Sequence, residues 1–440
     1  MSVVRRMVNA LRGGGRTDRP RPGQLLRPRP EDEWRNYPAD GLTPSRLASI
    51  LRRADAGDLD EPMALFEQME EKDAHLFSVA STRRLALTGL DWEILSWAEV
   101  RQAKDRSRAD EVAAYCREAL LSMETLGAAL QHLSLAIGRN LAVAELVWEE
   151  SDGELGLACL VPVDFTRLMF NDQGELQVLT EAEPSEGMAL PPNKFVVHTP
   201  HSVSGHPSRG GLLRATALAF LGKQYAVKDW MIFGEVFGMP VRVGKYDPKA
   251  TAEEKRELLD MLKNLGAEAA GVFSKSVNLE FLEANRGTMG PPYESMVNFF
   301  NREMSKAWLG QTLTTDATGS PGSFAVAKIH EQVRQDIRED DIRKEAETVR
   351  RDILRPMVRV KFGEGAPVPF FQRRLRGPGD TESLAKMLSV AVNQLGMSVD
   401  EQWAHDALGV PRRRAGGGVL AGRPAGATER SGGDGAGPGE

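Results

Sequence analysis

Three stretches of this 440-residue chain carry residue types that could do chemistry. The first runs from Trp308 to His330, WLGQTLTTDATGSPGSFAVAKIH, where hydroxyl side chains and glycines crowd together. That mixture could cradle a phosphate, which needs a preceding strand and a helix N-terminus aimed at the anion. Ser323 can cap the helix that follows. The segment before it, YESMVNFFNREMSKAWL, reads as helix rather than strand. Thr312, Thr314 and Thr315 beside Asp316 therefore suit a polar loop with several conformations of similar energy, an ordered catalytic lid being the weaker alternative.

The second stretch is GMPVRVGKY, Gly238–Tyr246. A phosphate loop needs four residues between its glycines and a hydroxyl after the lysine. Here five residues intervene, Tyr246 replaces the hydroxyl, and the segment reads as a strand. The third stretch, HTPHSVSGH, holds His198, His201 and His206. Three imidazoles can bind zinc, but ligands need fixed directions and supporting partners, and a connector rich in Pro and Gly has no periodic frame to supply them. His330-Glu331 starts like a zinc-protease motif, with Arg334 where its second histidine belongs. No G-x-S-x-G elbow occurs. Cys116 and Cys159 make neither a disulfide framework nor a zinc set and read as reduced core residues. Nothing here specifies an active site, a cofactor or a metal.

The elements that must position these stretches follow from local signals. Thr43 with Pro44 opens a helix that Gly57 ends. A second helix is expected over 61–88, closing at Gly89, and LDWEIL reads as a strand. A long apolar helix is expected over 110–138. Short strands with SDG and NDQG turns then suggest a β module over 141–200. The segment from Ser208 to Gly238 returns to helix and is apolar around most of its circumference, so neighbouring helices or subunits must cover it. Thr251 with Glu254 forms a capping box. An apolar stripe, Ile329, Val333, Ile337 and Ile342, runs along a charged helix that Pro356 is expected to end, and a last helical region covers 381–408. The chain is α+β.

Composition sets outer bounds. Apolar residues make up 41% and charged residues 27%, with a net charge of -6, an ordinary globular balance. That charge argues against a broadly basic, nucleic-acid-coating face. No apolar run reaches the length of a membrane span, no signal peptide is recognisable, and a cytoplasmic setting is expected. Residues 1–30 hold eight arginines and four prolines against one acid, Asp18, a composition expected to stay disordered. The Gly/Ala-rich tail, 411–440, is expected to do the same.

Three blocks in fixed order carry a family resemblance: LTPSRLASILRRADAGDLDEPMALFEQMEEKDAHLFSVASTRRLALTGLDWEI, then NKFVVHTP with GGLLRATALAFLGKQYAVKDWMIFGEVFGMPVRVGKY, and SKAWLGQTLTTDATGSPGSFAVAKIHEQVRQDI. Over about 34–408 the chain resembles the portal proteins of Mu-like bacteriophages and prophages. The resemblance implies a portal fold of wing, stem, clip and crown, in a ring of twelve at one capsid vertex through which double-stranded DNA enters and leaves. It implies a non-enzymatic virion component, assembled in the bacterial host cytoplasm. Its implied partners are the terminase large subunit, capsid or scaffold proteins and a head–tail adaptor, with no membrane.

Laid onto this chain, the resemblance puts the wing at 31–110, one stem helix at 111–140, the clip at 141–205 and a second stem helix at 206–236. Residues 237–309 complete the wing and lead to a tunnel loop at 310–323, with the crown at 324–410. It points to Gln311, Thr312, Thr314, Thr315, Asp316, Thr318, Ser320 and Ser323 as candidates to line the channel. Leu213, Leu218, Phe220, Tyr225, Trp230 and Phe233 are candidates for packing between subunits. A nucleotide- or metal-dependent hydrolase and a minor capsid protein remain the alternatives.

Overall fold

The computed structural model describes residues 20–26, 38–102, 106–238, 241–245, 249, 251–264, 278–282, 290–312, 323–374 and 381–410. Within the arm expected to be disordered over 1–30, residues 20–26 are instead docked on the body, with Pro20 and Leu26 buried, and residues 1–19 lie outside the described residues. The tail at 411–440 lies outside the described residues.

Local signals set most helix starts. The Thr43 hydroxyl accepts the Arg46 amide at 3.2 Å and opens α1 (Pro44–Asp55). Two helices, α2 (Asp60–Lys72) and α3 (Ala74–Thr88), replace the single one expected over 61–88. The buried Asp73 carboxylate makes the break, accepting the amides of His75 and Leu76 at 3.0 Å each and Lys223 Nζ at 2.7 Å. An N-cap that also anchors a distant lysine outweighs helical continuity.

Beyond β1 (Trp92–Leu95) and α4 (Trp97–Arg101) come α5 (Ser107–Leu121), α6 (Leu126–Ser134) and α7 (Ala136–Arg139). The expected long helix over 111–140 is not continuous: α5 and the stretch Leu126–Arg139 meet at 89°. Polar side chains at the corner compete with the helical ladder. The Ser122 hydroxyl donates to the Ala119 carbonyl at 2.9 Å, and Thr125 Oγ1 accepts the Leu160 amide at 3.2 Å. The bend lets Val112, Cys116 and Leu120 share one buried cluster with Leu126, Leu130 and Leu133.

The expected β module follows as β2 (Ala142–Ser151), β3 (Glu154–Pro162), β4 (Leu168–Phe170), β5 (Leu176–Val178), β6 (Met188–Ala189) and β7 (Phe195–His198). They form two antiparallel sheets ordered β3-β2-β7 and β4-β5-β6, with SDG as the β2–β3 turn. Both sheets are built into the body. Val143, Val178 and Phe195 belong to one buried cluster, and Ala144, Leu146, Trp148 and Val196 to the other.

A helical hairpin comes next. α8 (Leu212–Gly238) runs out to β8 (Val241–Lys245), α9 (Ala252–Asn264) and β9 (Asn278–Leu282), and α10 (Gly290–Leu309) runs back. The Thr251–Glu254 capping box is present, with Thr251 N–H on Glu254 Oε2 at 2.7 Å and Glu254 N–H on Thr251 Oγ1 at 3.3 Å. β8 and β9 pair antiparallel from Val241↔Leu282 to Lys245↔Asn278. α8 and α10 lie against each other, and Phe300 sits over Gly222, where a Cβ would fall 2.4 Å from the ring. Only a residue without a side chain permits that approach.

α11 (Ser323–Val349) passes through a π-helical turn, Arg350–Leu354, into α12 (Arg355–Phe362). Pro356 thus sits near the start of α12 instead of ending the helix. The wider turn before it relieves the usual clash of the proline ring with the preceding turn. β10 (Phe370–Arg373) then pairs antiparallel with β1, and Arg373 makes a buried two-point contact with Glu345 at 2.7 and 2.8 Å.

Residues 375–440 form a second compact unit. Its described part holds α13 (Thr381–Asn393) and α14 (Glu401–Leu408), two helices where one helical region was expected. Among the described residues no single helix is long and apolar enough to cross a membrane.

Candidate functional site

The polar loop joins α10 to α11. Trp308 is fully buried, and Gly310 ends α10 with φ at 68° and its amide on the Lys306 carbonyl at 3.0 Å. A Cβ on Gly310 would lie 2.9 Å from Val333 and 3.0 Å from Ile337, so α11 crosses close over the root of the loop. One guanidinium fastens both sides of that root. From α3, Arg83 grips Asp341 of α11 at 2.8 and 3.0 Å and donates to the Trp308 carbonyl at 2.9 Å. Counting back ten residues from Val333, α11 begins about 15 Å from the crossing point.

The channel candidates distribute unevenly about this root. Gln311 is buried and Thr312 half-buried. Thr314, Thr315, Asp316, Thr318 and Ser320 lie outside the described residues, and Ser323 is the first residue of α11. Arg83 and Asp341 gave no sequence signal of their own. Only the fold brings an arginine of α3 to a carboxylate 258 residues later.

The six residues singled out on α8 separate into two groups. Leu213 and Phe220 are consumed inside the chain's own core, in the same buried cluster as Met304 and Trp308. Leu218 is 68% exposed, and Tyr225 and Trp230 are also exposed, Tyr225 donating its hydroxyl to the Leu42 carbonyl at 3.2 Å. Phe233 is half-buried, its ring 6.0 Å from that of Tyr293. Sequence reasoning did not single out Met231, Ile232, Met296 and Phe299, which are exposed on α8 and α10. For Met231 and Ile232 the signal was the all-round apolarity of residues 208–238, which by itself does not say which side stays open.

The other chemical candidates serve structural ends. Val241–Lys245 is engaged in the β8–β9 ladder, so the GMPVRVGKY stretch does not present its backbone as a phosphate loop would. The three histidines go to separate partners. His198 Nδ1 meets Thr348 Oγ1 at 2.9 Å, His201 Nδ1 lies 3.5 Å from Lys344 Nζ, and His206 Nδ1 meets Ser208 Oγ at 2.9 Å. Burial, with help from Arg351, pulls His198 down to about 4. Burial also pushes the Cys116 thiol up to about 12, which makes it a poor nucleophile. Among the described residues no group of three His, Cys, Asp or Glu is arranged to hold a metal.

Comparison with known proteins completes the description. The family described as portal protein of Mu bacteriophage matches residues 63–410. The Mu-like prophage FluMu protein gp29 of Haemophilus influenzae is 33% identical over 388 residues, spanning 86% of this chain and 72% of that protein. The portal protein of Escherichia phage Mu is 32% identical with the same coverage, 86% and 72%. Among solved structures, a chain from the virion of a native gene transfer agent particle is similar at a TM-score of 0.51 and 12% identity, covering 94% of this chain and 100% of that one. A chain from the neck of an empty gene transfer agent particle is similar at 0.50 and 12% identity, with 84% and 95% covered. Those two likenesses concern the fold.

Proposed function

This chain belongs to the portal protein family of Mu bacteriophage, and on that premise we propose how its parts are used. Its function is that of a phage portal, a ring-forming protein associated with the capsid. In our reading twelve copies close the ring and double-stranded DNA passes through it during packaging and ejection. The terminase large subunit, capsid or scaffold proteins and a head–tail adaptor are its neighbours in the virion, after assembly in the host cytoplasm. We assign the chain a structural role and leave nucleotide hydrolysis to the terminase.

The stem is α8 paired with α10, and the clip is the β8–α9–β9 module at the tip of that hairpin. This keeps α8 close to the second stem helix expected at 206–236 and moves the first stem helix and the clip from the positions expected from sequence, 111–140 and 141–205. The first stretch is bent at 89°, and the sheets of the second are built into the buried clusters. The wing then takes in the body between α1 and the start of α8, together with α11, α12 and β10. The crown narrows to α13 and α14. The loop at 310–323 is the tunnel loop, and its sequence contains no lysine or arginine. Each phosphate neutralised by a cation adds salt-dependent affinity, so a wall without cations grips DNA weakly and lets it slide.

One observation carries this reading most directly: the α8–α10 hairpin is buried on its body side and keeps Leu218, Met231, Met296 and Phe299 exposed. An apolar flank of that kind suits covering by the next subunit in a ring. The test replaces residues 313–322 with a short Gly-Ser linker. Electron microscopy should still find rings, while packaged DNA per particle falls sharply. Loss of rings would make the loop an assembly element, and unchanged packaging would remove it from the channel.

A further inference from the structure

The central strand of the body has an edge that its own sheet leaves half covered. β7 pairs with β2 only from Ala142↔His198 to Glu145↔Phe195. One further bond, Leu146 N–H to the Lys194 carbonyl at 2.8 Å, continues the ladder. Asn193 then takes a positive φ of 56°, and β7 has no partner for Val147 or Trp148. An unpaired edge in a sheet interior is costly, because buried amides and carbonyls need partners.

Residues 20–26 fill that gap. Gly23 bridges Trp148 antiparallel, its amide donating to the Trp148 carbonyl at 2.8 Å. Beside it lies a buried ion pair, Glu145 and Lys194, with Nζ and Oε1 3.2 Å apart and side chains 1% and 4% exposed. Its polar atoms face the arm's main chain. The Glu145 carboxylate accepts the amides of Leu25 and, at 2.9 Å, Leu26. Lys194 Nζ donates to the carbonyls of Gly23, Arg21 at 3.4 Å and Leu146 at 3.0 Å. Pro20 and Leu26 add buried side-chain anchors, while Leu25 stays exposed.

We propose that the half-edge of β2, framed by Glu145 and Lys194, is a strand-acceptor site whose occupant is the chain's own arm, residues 20–26. The pair's geometry is that of a binding element. A carboxylate offers two acceptors to two successive amides, and an ammonium offers donors to carbonyls on both sides of the groove. A buried pair kept only for stability would be replaceable by apolar side chains at little cost. Here that replacement removes the partners of the arm's amides and carbonyls. The arm is a latch that holds residues 20–26 against the body.

Hydrogen exchange on the full-length assembled protein tests this. In the wild type, fragments covering 20–26 should exchange at least about 100-fold more slowly than an unstructured chain, as a locally stable unit does. In the double variant Glu145→Met, Lys194→Met that protection should disappear while fragments from β2 and β7 keep theirs. Leu25→Ala should leave the arm protected, since Leu25 contributes main chain only. Three results would overturn the proposal. These are fast exchange of 20–26 in the wild type, protection that survives the double variant, or parallel loss in β2 and β7, which would make the pair a core element.

Discussion

The two halves of α8 show one apolar sequence meeting two fates. In the first half Leu213, Ala217, Phe220, Leu221 and Ala226 are buried, under α1, α2, α7 and the end of α10. In the second half Trp230, Met231 and Ile232 are exposed in succession, with Met231 at 71%. Hydrophobicity does not separate the halves; what lies alongside does. The first half, Leu218 apart, is core of this chain, and the second is an open apolar surface, which in our proposal the next subunit of the ring covers.

Breaking the body should produce the largest effect of any single substitution. Arg83→Ala leaves Asp341 charged in the interior and the Trp308 carbonyl without its donor. Removing one partner of such a pair costs about 3–5 kcal/mol, readable as a lowered denaturant midpoint. A loss well below that would place Arg83 with the surface pairs, and the root of the loop would no longer count as part of the rigid body.

Acid offers a second test confined to the body. Burial pulls His132 and His198 down to about 4, with Arg139 and Arg351 adding to it. The unfolded imidazoles take protons below about 6.5 while the folded ones stay neutral until about 4. Stability should therefore fall as pH drops from about 6.5 to about 4 and level off below, by roughly 3 kcal/mol per histidine. Replacing both by glutamine should flatten that part of the stability–pH curve. A curve that keeps its slope would mean that other groups carry the acid response.

The smallest effect on the subunit belongs to the open half of α8. Met231→Ala should change unfolding of the isolated subunit by no more than about 0.5 kcal/mol, as for other exposed positions. Mass photometry should nonetheless find fewer rings at a given concentration. If Met231→Ala destabilises the subunit as a core truncation would, the contrast between the halves fails.

Several elements were legible in the sequence because their signals are local. Thr43 with Pro44, the Thr251–Glu254 box, the SDG hairpin and the β8 strand each depend on residues a few positions apart, and each appears where expected. The portal family was legible too, from three ordered blocks. The breaks at Asp73 and at 122–125 were not, since both stretches have helical composition on either side. Nor was the docking of residues 20–26, whose Arg/Pro composition has little to bury beyond Pro20, Leu25 and Leu26.

By itself, then, the sequence determined the α+β class, most helix starts, the hairpins and the family. Tertiary structure alone decided where the helices break, which helices form the outgoing hairpin, and which apolar residues remain open. The reason is the range of the deciding forces. Caps and turns act over three or four residues. The Asp73 break depends on Lys223, 150 residues away, and the latch depends on Glu145, 119 residues from Leu26. Such contacts satisfy buried charges only after the chain has folded, so no local window of residues contains them.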